Sequence, residues 1–105
     1  MRKSTLEQQI AGMSDLEELD RIAYRYAQGG NTGYALLAWM RAEELGCTKY
    51  RKSITAQLFS QDLHGEDRKR VTTMVKQWVK EDDKDVKEVI ELMKAIHDWK
   101  DSESD

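Results

Sequence analysis

The sequence YRYAQGGNTGYALLAWMRAEELGC, residues 24–47, joins a glycine-rich turn to an apolar and aromatic run. A phosphate-binding loop would need a buried strand before its glycines, and the Walker pattern adds a lysine followed by Ser or Thr. GGNTG lacks both features. Gly29 or Gly30 can instead end one helix, and Asn31 or Thr32 can cap the next. The stretch therefore predicts the corner of a helical hairpin.

Helical periodicity continues on both sides of this corner, because apolar residues recur at three- and four-residue steps and no segment alternates like a half-buried strand. Capping boxes begin at Ser4 and Ser14. We predict an all-α fold, a compact bundle of five or six short helices in one domain over residues 1–100, followed by a flexible acidic tail at 101–105. The predicted helices cover about residues 5–12, 14–27, 33–45, 48–63, 66–80 and 83–99.

The apolar residues predicted to face inward differ in how regularly they are spaced. The fourth helix has the least regular pattern and is predicted to end at His64 and Gly65. The last helix has a clear apolar stripe. The inward-facing residues of these two helices are predicted to be Tyr50, Ile54, Leu58, Phe59, Val86, Val89, Ile90, Met93, Ile96 and Trp99.

Composition limits the setting and the chemistry of the chain. The 105 residues include a single cysteine, Cys47, and the N-terminal residues lack the apolar core of a signal peptide. The longest apolar run, residues 34–40, is far shorter than a membrane span. We therefore expect a soluble cytoplasmic protein that does not enter a membrane. No residues stand at the spacing of a catalytic set, a metal site or a cofactor site, so we expect no enzyme activity.

Charge is distributed unevenly along the chain. The net charge is −3 overall, but residues 47–80 carry eight Lys or Arg against three Asp or Glu, and residues 81–105 carry four against ten. A basic middle could meet nucleic acid or an acidic partner. The acidic end could equally neutralise it within the fold or between subunits. The candidate nucleic-acid-binding residues are Lys49, Arg51, Lys52, Arg68, Lys69 and Arg70.

Residues 16–47 resemble one tetratricopeptide repeat, a helix-turn-helix unit of about 34 residues in which small and large side chains interlock. The proline expected near the end of the repeat is Cys47, and no second repeat follows. The matching positions are Leu19, Ile22, Ala23, Tyr26, Gly30, Ala35, Trp39 and Ala42.

In that family the first helix lines a concave groove that binds a partner protein. The resemblance thus implies a non-catalytic protein–protein interaction module, a small adaptor or regulatory protein. A homodimer is a second route to an interface, because three tryptophans and five methionines are a large apolar content for this length. A nucleic-acid-binding regulator that uses the basic helix pair at 48–80 is the alternative. The implied partner-binding residues are Glu17, Asp20, Tyr24 and Gln28.

Overall fold

The computed structural model describes the backbone of residues 5–60 and 62–103, with side chains described as far as residue 98. Within these residues every regular element is helical and no strand occurs, which confirms the prediction of an all-α fold of five or six helices. The α-helices are α1 (Thr5–Gly12), α2 (Leu16–Gln28), α3 (Thr32–Glu44), α4 (Arg51–Ala56), α5 (Gly65–Lys80) and α6 (Lys84–Glu103), with a short 3-10 helix at Gln57–Phe59.

The chain divides into two compact units, Met1–Arg51 and Lys52–Asp105. The core of the first unit lies between α2 and α3, with α1 packed against it. Small residues allow the two helices to approach closely, and larger side chains fill the remaining space. The buried residues of this core are Ile10, Leu19, Ala23, Ala38 and Ala42, with Tyr34, Leu37, Trp39 and Tyr50 packed around them.

The α2–α3 hairpin predicted from GGNTG is present, and its turn follows the expected glycine chemistry. Gly29 forms the C-cap of α2, and Gly30 follows with φ of 82°, a left-handed conformation that glycine adopts without steric cost. The amide of Asn31 then donates to the carbonyl of Tyr26 at 2.8 Å. Asn31 occupies the N-cap of α3, although its side chain makes no capping hydrogen bond. The turn reverses the chain within three residues.

The start of α2 differs in detail from the predicted capping box at Ser14. The N-cap is Asp15, whose carboxylate accepts from the amides of Glu17 at 3.0 Å and Glu18 at 3.4 Å. A carboxylate at this position also faces the positive end of the helix dipole. The Ser4 box at the first helix lies outside the described residues.

The predicted fourth helix at 48–63 is wrong in length. Regular α-helix runs only over Arg51–Ala56, tightens to 3-10 over Gln57–Phe59, and stops at Ser60, whose backbone is extended. Ser60 instead accepts a hydrogen bond from the amide of Asp62 through its hydroxyl, at 3.2 Å, a local bond that competes with helix. Gly65 does not end this helix; it begins α5, with φ of 65°.

The second unit is built mainly on α5 and α6. Ile54, Val71 and Val86 are fully buried, and Trp78 is 4% exposed. The apolar stripe predicted for the last helix is only partly inward, because Ile96 is 40% exposed. The side chain predicted inward at Trp99 lies outside the described side chains. The predicted tail begins inside α6, and its residues 104 and 105 lie outside the described residues.

No helix in the described part of the chain is both long enough and apolar enough to cross a membrane.

Candidate functional site

The residues predicted to bind a partner lie on one exposed side of α2. Three- and four-residue steps place Asp20, Tyr24 and Gln28 on successive turns, with Glu17 one turn before Asp20. All four are exposed, while Leu19 and Ala23 on the opposite side are 1% and 2% exposed. We call Glu17, Asp20, Tyr24 and Gln28 the Tyr24 face.

Among the side chains that the structure describes, Tyr24 is the most exposed of the large hydrophobic ones, with 67% of its surface accessible. A tyrosine brings a large rigid apolar surface and a hydroxyl that can donate and accept, with few rotatable bonds to order on binding. Residues of this type are enriched among those that dominate interface energies. Tyr24 lies away from the α2–α3 core, so packing within the hairpin does not account for it.

Asp20 anchors one edge of the Tyr24 face to the segment after α3. The Tyr50 hydroxyl donates a hydrogen bond to Asp20 Oδ1, and the Lys49 ammonium lies 3.3 Å from the same oxygen. Lys49 also lies 5.1 Å from the centre of the Tyr50 ring. The Tyr50 ring in turn stacks on Trp39, with 6.4 Å between centroids, which links this edge to the core of the first unit.

This arrangement perturbs the acid–base properties of all three groups. The hydrogen bond from Tyr50, together with Lys49, holds the pKa of Asp20 below its usual value. Partial burial, reinforced by the hydrogen bond to Asp20, raises the pKa of Tyr50 to about 12. Hydrogen bonding to Tyr50 and Asp20 raises the pKa of Lys49. Asp20 is therefore an anion and Lys49 a cation at neutral pH, and their charges partly cancel at the edge of the Tyr24 face.

The two candidate nucleic-acid-binding residues of the first unit, Lys49 and Arg51, are engaged with acidic side chains. Besides the pairing of Lys49 with Asp20, Arg51 donates from Nε at 3.0 Å and from Nη2 at 2.7 Å to Glu43 Oε1. The side chains of Arg51 and Glu43 are only 22% and 12% exposed. The Arg51 guanidinium is thus a structural group that holds the last residue of the first unit against Glu43 of α3.

The four candidate nucleic-acid-binding residues of the second unit, Lys52, Arg68, Lys69 and Arg70, are more exposed, but each of them has a partner. Lys52 lies 3.9 Å from Asp85, and Lys69 lies 3.7 Å from Glu66. Arg68 donates through its guanidinium to the carbonyls of Leu63 at 3.0 Å and Leu58 at 3.1 Å. Arg70 is exposed. These contacts pair much of the predicted basic set within each unit.

A groove in the second unit is a site that the sequence did not indicate. It has a volume of about 490 Å³ and lies between the segment after α4 and the helices α5 and α6. The rings of Phe59 and His97 meet in its wall with centroids 5.7 Å apart. The residues lining this Phe59 groove are Leu58, Phe59, Ser60, Leu63, Arg68, Lys94, His97 and Asp98.

Among the side chains of residues 5–60 and 62–98, no group of three or more His, Cys, Asp or Glu could hold a metal ion. Cys47 is a half-buried free thiol that packs against the core of the first unit.

No protein-family model matches the chain, and no curated protein or solved structure resembles it significantly.

Proposed function

We propose that the protein is a non-catalytic protein–protein interaction module, a small adaptor or regulatory protein, that binds its partner through the Tyr24 face. The single observation that carries this proposal is the 67% exposure of Tyr24 on a helix whose opposite side is buried. Glu17 and Asp20 lie on the N-terminal side of Tyr24. A fitting partner presents an apolar pocket for the tyrosine ring and Lys or Arg at the rim of that pocket.

The tetratricopeptide-like pattern of residues 16–47 supports the same proposal. In that family the partner is bound by the first helix of the hairpin, which here is α2. A rigid hairpin also suits a binding surface, because side chains on a packed helix lose little additional freedom when a partner docks.

The contacts of the arginines favour a protein partner over nucleic acid. Phosphate binding relies on Lys and Arg side chains that can turn to the backbone of the nucleic acid and displace its counterions. Arg51 is instead bonded to Glu43, and two guanidinium nitrogens of Arg68 bond to backbone carbonyls. The nucleic-acid-binding regulator is therefore the alternative, and the experiment below includes a test of it.

The test is a comparative affinity capture with three baits: the native protein, Tyr24→Ala, and Lys76→Ala as a control for an exposed residue on α5. Each bait is first shown by circular dichroism to be folded. Captured proteins are quantified by mass spectrometry, and the leading partner is purified for titration. We expect the native and Lys76→Ala baits to capture the same partner, and Tyr24→Ala to weaken its binding by about tenfold or more, as expected for a central tyrosine.

Two results would count against the proposal. One is a partner whose affinity is the same for Tyr24→Ala and the native bait. The other is capture that disappears on nuclease treatment and falls steeply with salt, which would instead support the nucleic-acid alternative.

A second copy of the chain is a further candidate partner, and one observation favours it. Leu92 and Ile96 lie one turn apart on α6 and are 60% and 40% exposed, an apolar pair that a symmetric partner could cover. Light scattering of a dimer would give twice the chain mass of 12.2 kDa, and Leu92→Lys would return it to the monomer value. A monomer at high concentration would remove this candidate.

A further inference from the structure

A pocket between α1 and α2 has the chemistry that a partner of the Tyr24 face requires, an apolar floor with arginines at its rim. It lies in the first unit, has a volume of about 210 Å³, and is called the Arg25 pocket below. Leu6 and Ile22 pack against the core, and the ring of Tyr26 lies 5.2 Å from that of Tyr34, so the floor is held in place. The lining residues are Leu6, Glu18, Arg21, Ile22, Arg25 and Tyr26.

The size and the rim of the Arg25 pocket fit a tyrosine side chain. A cavity of about 150 Å³ with an apolar lining can hold a benzene ring, so a pocket of about 210 Å³ has room for a phenol. At the rim, the Arg21 guanidinium lies 3.8 Å from Glu18. Arg25 forms no ion pair among the side chains that the structure describes. Its guanidinium is therefore available to a carboxylate from another molecule.

The Tyr24 face supplies the complementary groups. Tyr24 is 67% exposed, and side chains one or two positions apart on a helix do not face each other, so Tyr24 cannot fill the Arg25 pocket of its own chain. Asp20 is already paired with Lys49. Glu17 is exposed and forms no ion pair among the described side chains. The carboxylate available on this face is thus that of Glu17.

An antiparallel second copy of α2 brings all of these groups together. Glu17 and Arg25 lie four residues to either side of Arg21, so a two-fold axis near Arg21 sets Glu17 of each copy opposite Arg25 of the other. The same register sets Tyr24 opposite Glu18, which lines the pocket. Each Arg21 keeps the carboxylate of its own Glu18 nearby, which offsets the repulsion between the two guanidinium groups at the axis. The contact closes at two copies, since each gives one tyrosine and receives one.

We propose that the partner of the Tyr24 face, whose proposed function is the premise, is a second copy of this chain. Tyr24 of each copy occupies the Arg25 pocket of the other, and Glu17 pairs with Arg25 across the interface. The contact is confined to one helix and the pocket beside it, which is small for a stable interface, so we expect a Kd of about 10–100 µM. This interface lies in the first unit and does not involve Leu92 or Ile96 of α6.

The experiment is sedimentation equilibrium of the full chain from about 10 µM to about 1 mM, a range that includes this Kd. We expect reversible dimerisation of the native chain, with the same Kd for Lys76→Ala, an exposed residue of α5 outside the interface. Tyr24→Ala should raise the Kd at least tenfold, because it removes both central aromatic rings of the dimer. Circular dichroism establishes that each variant is folded.

Charge reversal tests the pairing of Glu17 with Arg25. Glu17→Arg and Arg25→Glu each set two pairs of like charges across the axis, and each should raise the Kd at least tenfold at low salt. An equal mixture of the two variants should form a heterodimer with about the native Kd, because both contacts then join opposite charges. The double variant should dimerise like the native chain for the same reason.

Three results would overturn the proposal. The first is a chain that stays monomeric at about 1 mM, a concentration well above the expected Kd. The second is a dimer that Leu92→Lys dissociates and Tyr24→Ala does not. The third is a mixture of Glu17→Arg and Arg25→Glu that forms no heterodimer. The proposed function of the Tyr24 face would survive any of these results if Tyr24→Ala weakens capture of a different protein, and it would fail separately if that capture is unchanged.

Discussion

Tyr50 connects the exposed edge of the Tyr24 face with the core, since its hydroxyl bonds to Asp20 while its ring stacks on Trp39. The phenol is favoured over the phenolate in the folded protein, because its pKa is raised to about 12 from an ordinary value of 10.0. The neutral Tyr50 phenol therefore stabilises the folded state. This contribution to the free energy of unfolding is complete below pH 10.0 and is lost as the pH rises from there to about 12.

We therefore predict that one of the four tyrosines ionises late in an ultraviolet absorbance titration of the folded protein. Tyr50→Phe should remove this late phase, and Tyr24→Phe should preserve it because the bond between Tyr50 and Asp20 is intact. Circular dichroism at each pH establishes that the chain is still folded. A late phase that persists in Tyr50→Phe would contradict the assignment.

Arg51 and its neighbour Lys52 offer a matched comparison of a sheltered and an exposed ion pair. The Glu43 side chain is 12% exposed in the native protein, and Arg51→Ala removes the guanidinium that pairs with it. The loss of this partner should lower the free energy of unfolding by about 2–3 kcal/mol. Lys52 is 56% exposed and lies 3.9 Å from Asp85, so Lys52→Ala should change the free energy of unfolding by at most about 0.5 kcal/mol. Urea unfolding measures both, and equal losses would refute the distinction.

At the level of elements, the α2–α3 hairpin depends on small side chains at its interface. Ala42 is fully buried, so Ala42→Leu introduces atoms for which the packed interface has no room. We expect a loss of about 1–3 kcal/mol in the free energy of unfolding. Ala27→Leu, on the exposed side of α2, should stay within about 0.5 kcal/mol of the native protein. Thermal and urea unfolding provide the measurement, and a well-tolerated Ala42→Leu would mean that the interface is loosely packed.

The hairpin was predictable because its determinants are local. Glycines stop α2, and apolar residues at helical steps define the buried side of both helices. Tyr24 does not fall on that side of α2, so its exposure was predictable from the sequence as well. The fourth helix was not predictable in the same way. Its irregular apolar pattern resembles that of a longer helix, and the bond from the Asp62 amide to the Ser60 hydroxyl becomes visible only in three dimensions.

The Phe59 groove escaped prediction for a different reason. Phe59 and Arg68 lie far along the sequence from Lys94 and Asp98, and only the packing of α6 against the segment before α5 brings them to one groove. A lone arginine in a basic run is typical of a solvated or phosphate-binding residue. Its bonds to the carbonyls of Leu58 and Leu63 depend on the loop that interrupts the predicted helix.

Across the whole molecule, some of the positive charge of the basic middle, residues 47–80, is neutralised by ion pairs within each unit. Lys52 of the basic middle pairs with Asp85 of the acidic end, while Lys49 pairs with Asp20 from the N-terminal third. Both pairs are solvent-exposed and contribute little to stability individually. We expect these pairs to affect binding of nucleic acid more than they affect stability, because they reduce the positive electrostatic potential at the surface of the protein.

The placement of two tryptophans gives each unit its own optical probe. Trp39 stacks on Tyr50 in the first unit, and Trp78 is buried in the second. Variants that retain a single indole, with the other two of the three tryptophans replaced by phenylalanine, would emit from one unit only. Denaturation curves from the two single-tryptophan variants would coincide if the units unfold as one cooperative block and would separate if each unfolds alone. Fluorescence can therefore report the unfolding free energy of each unit within the intact chain.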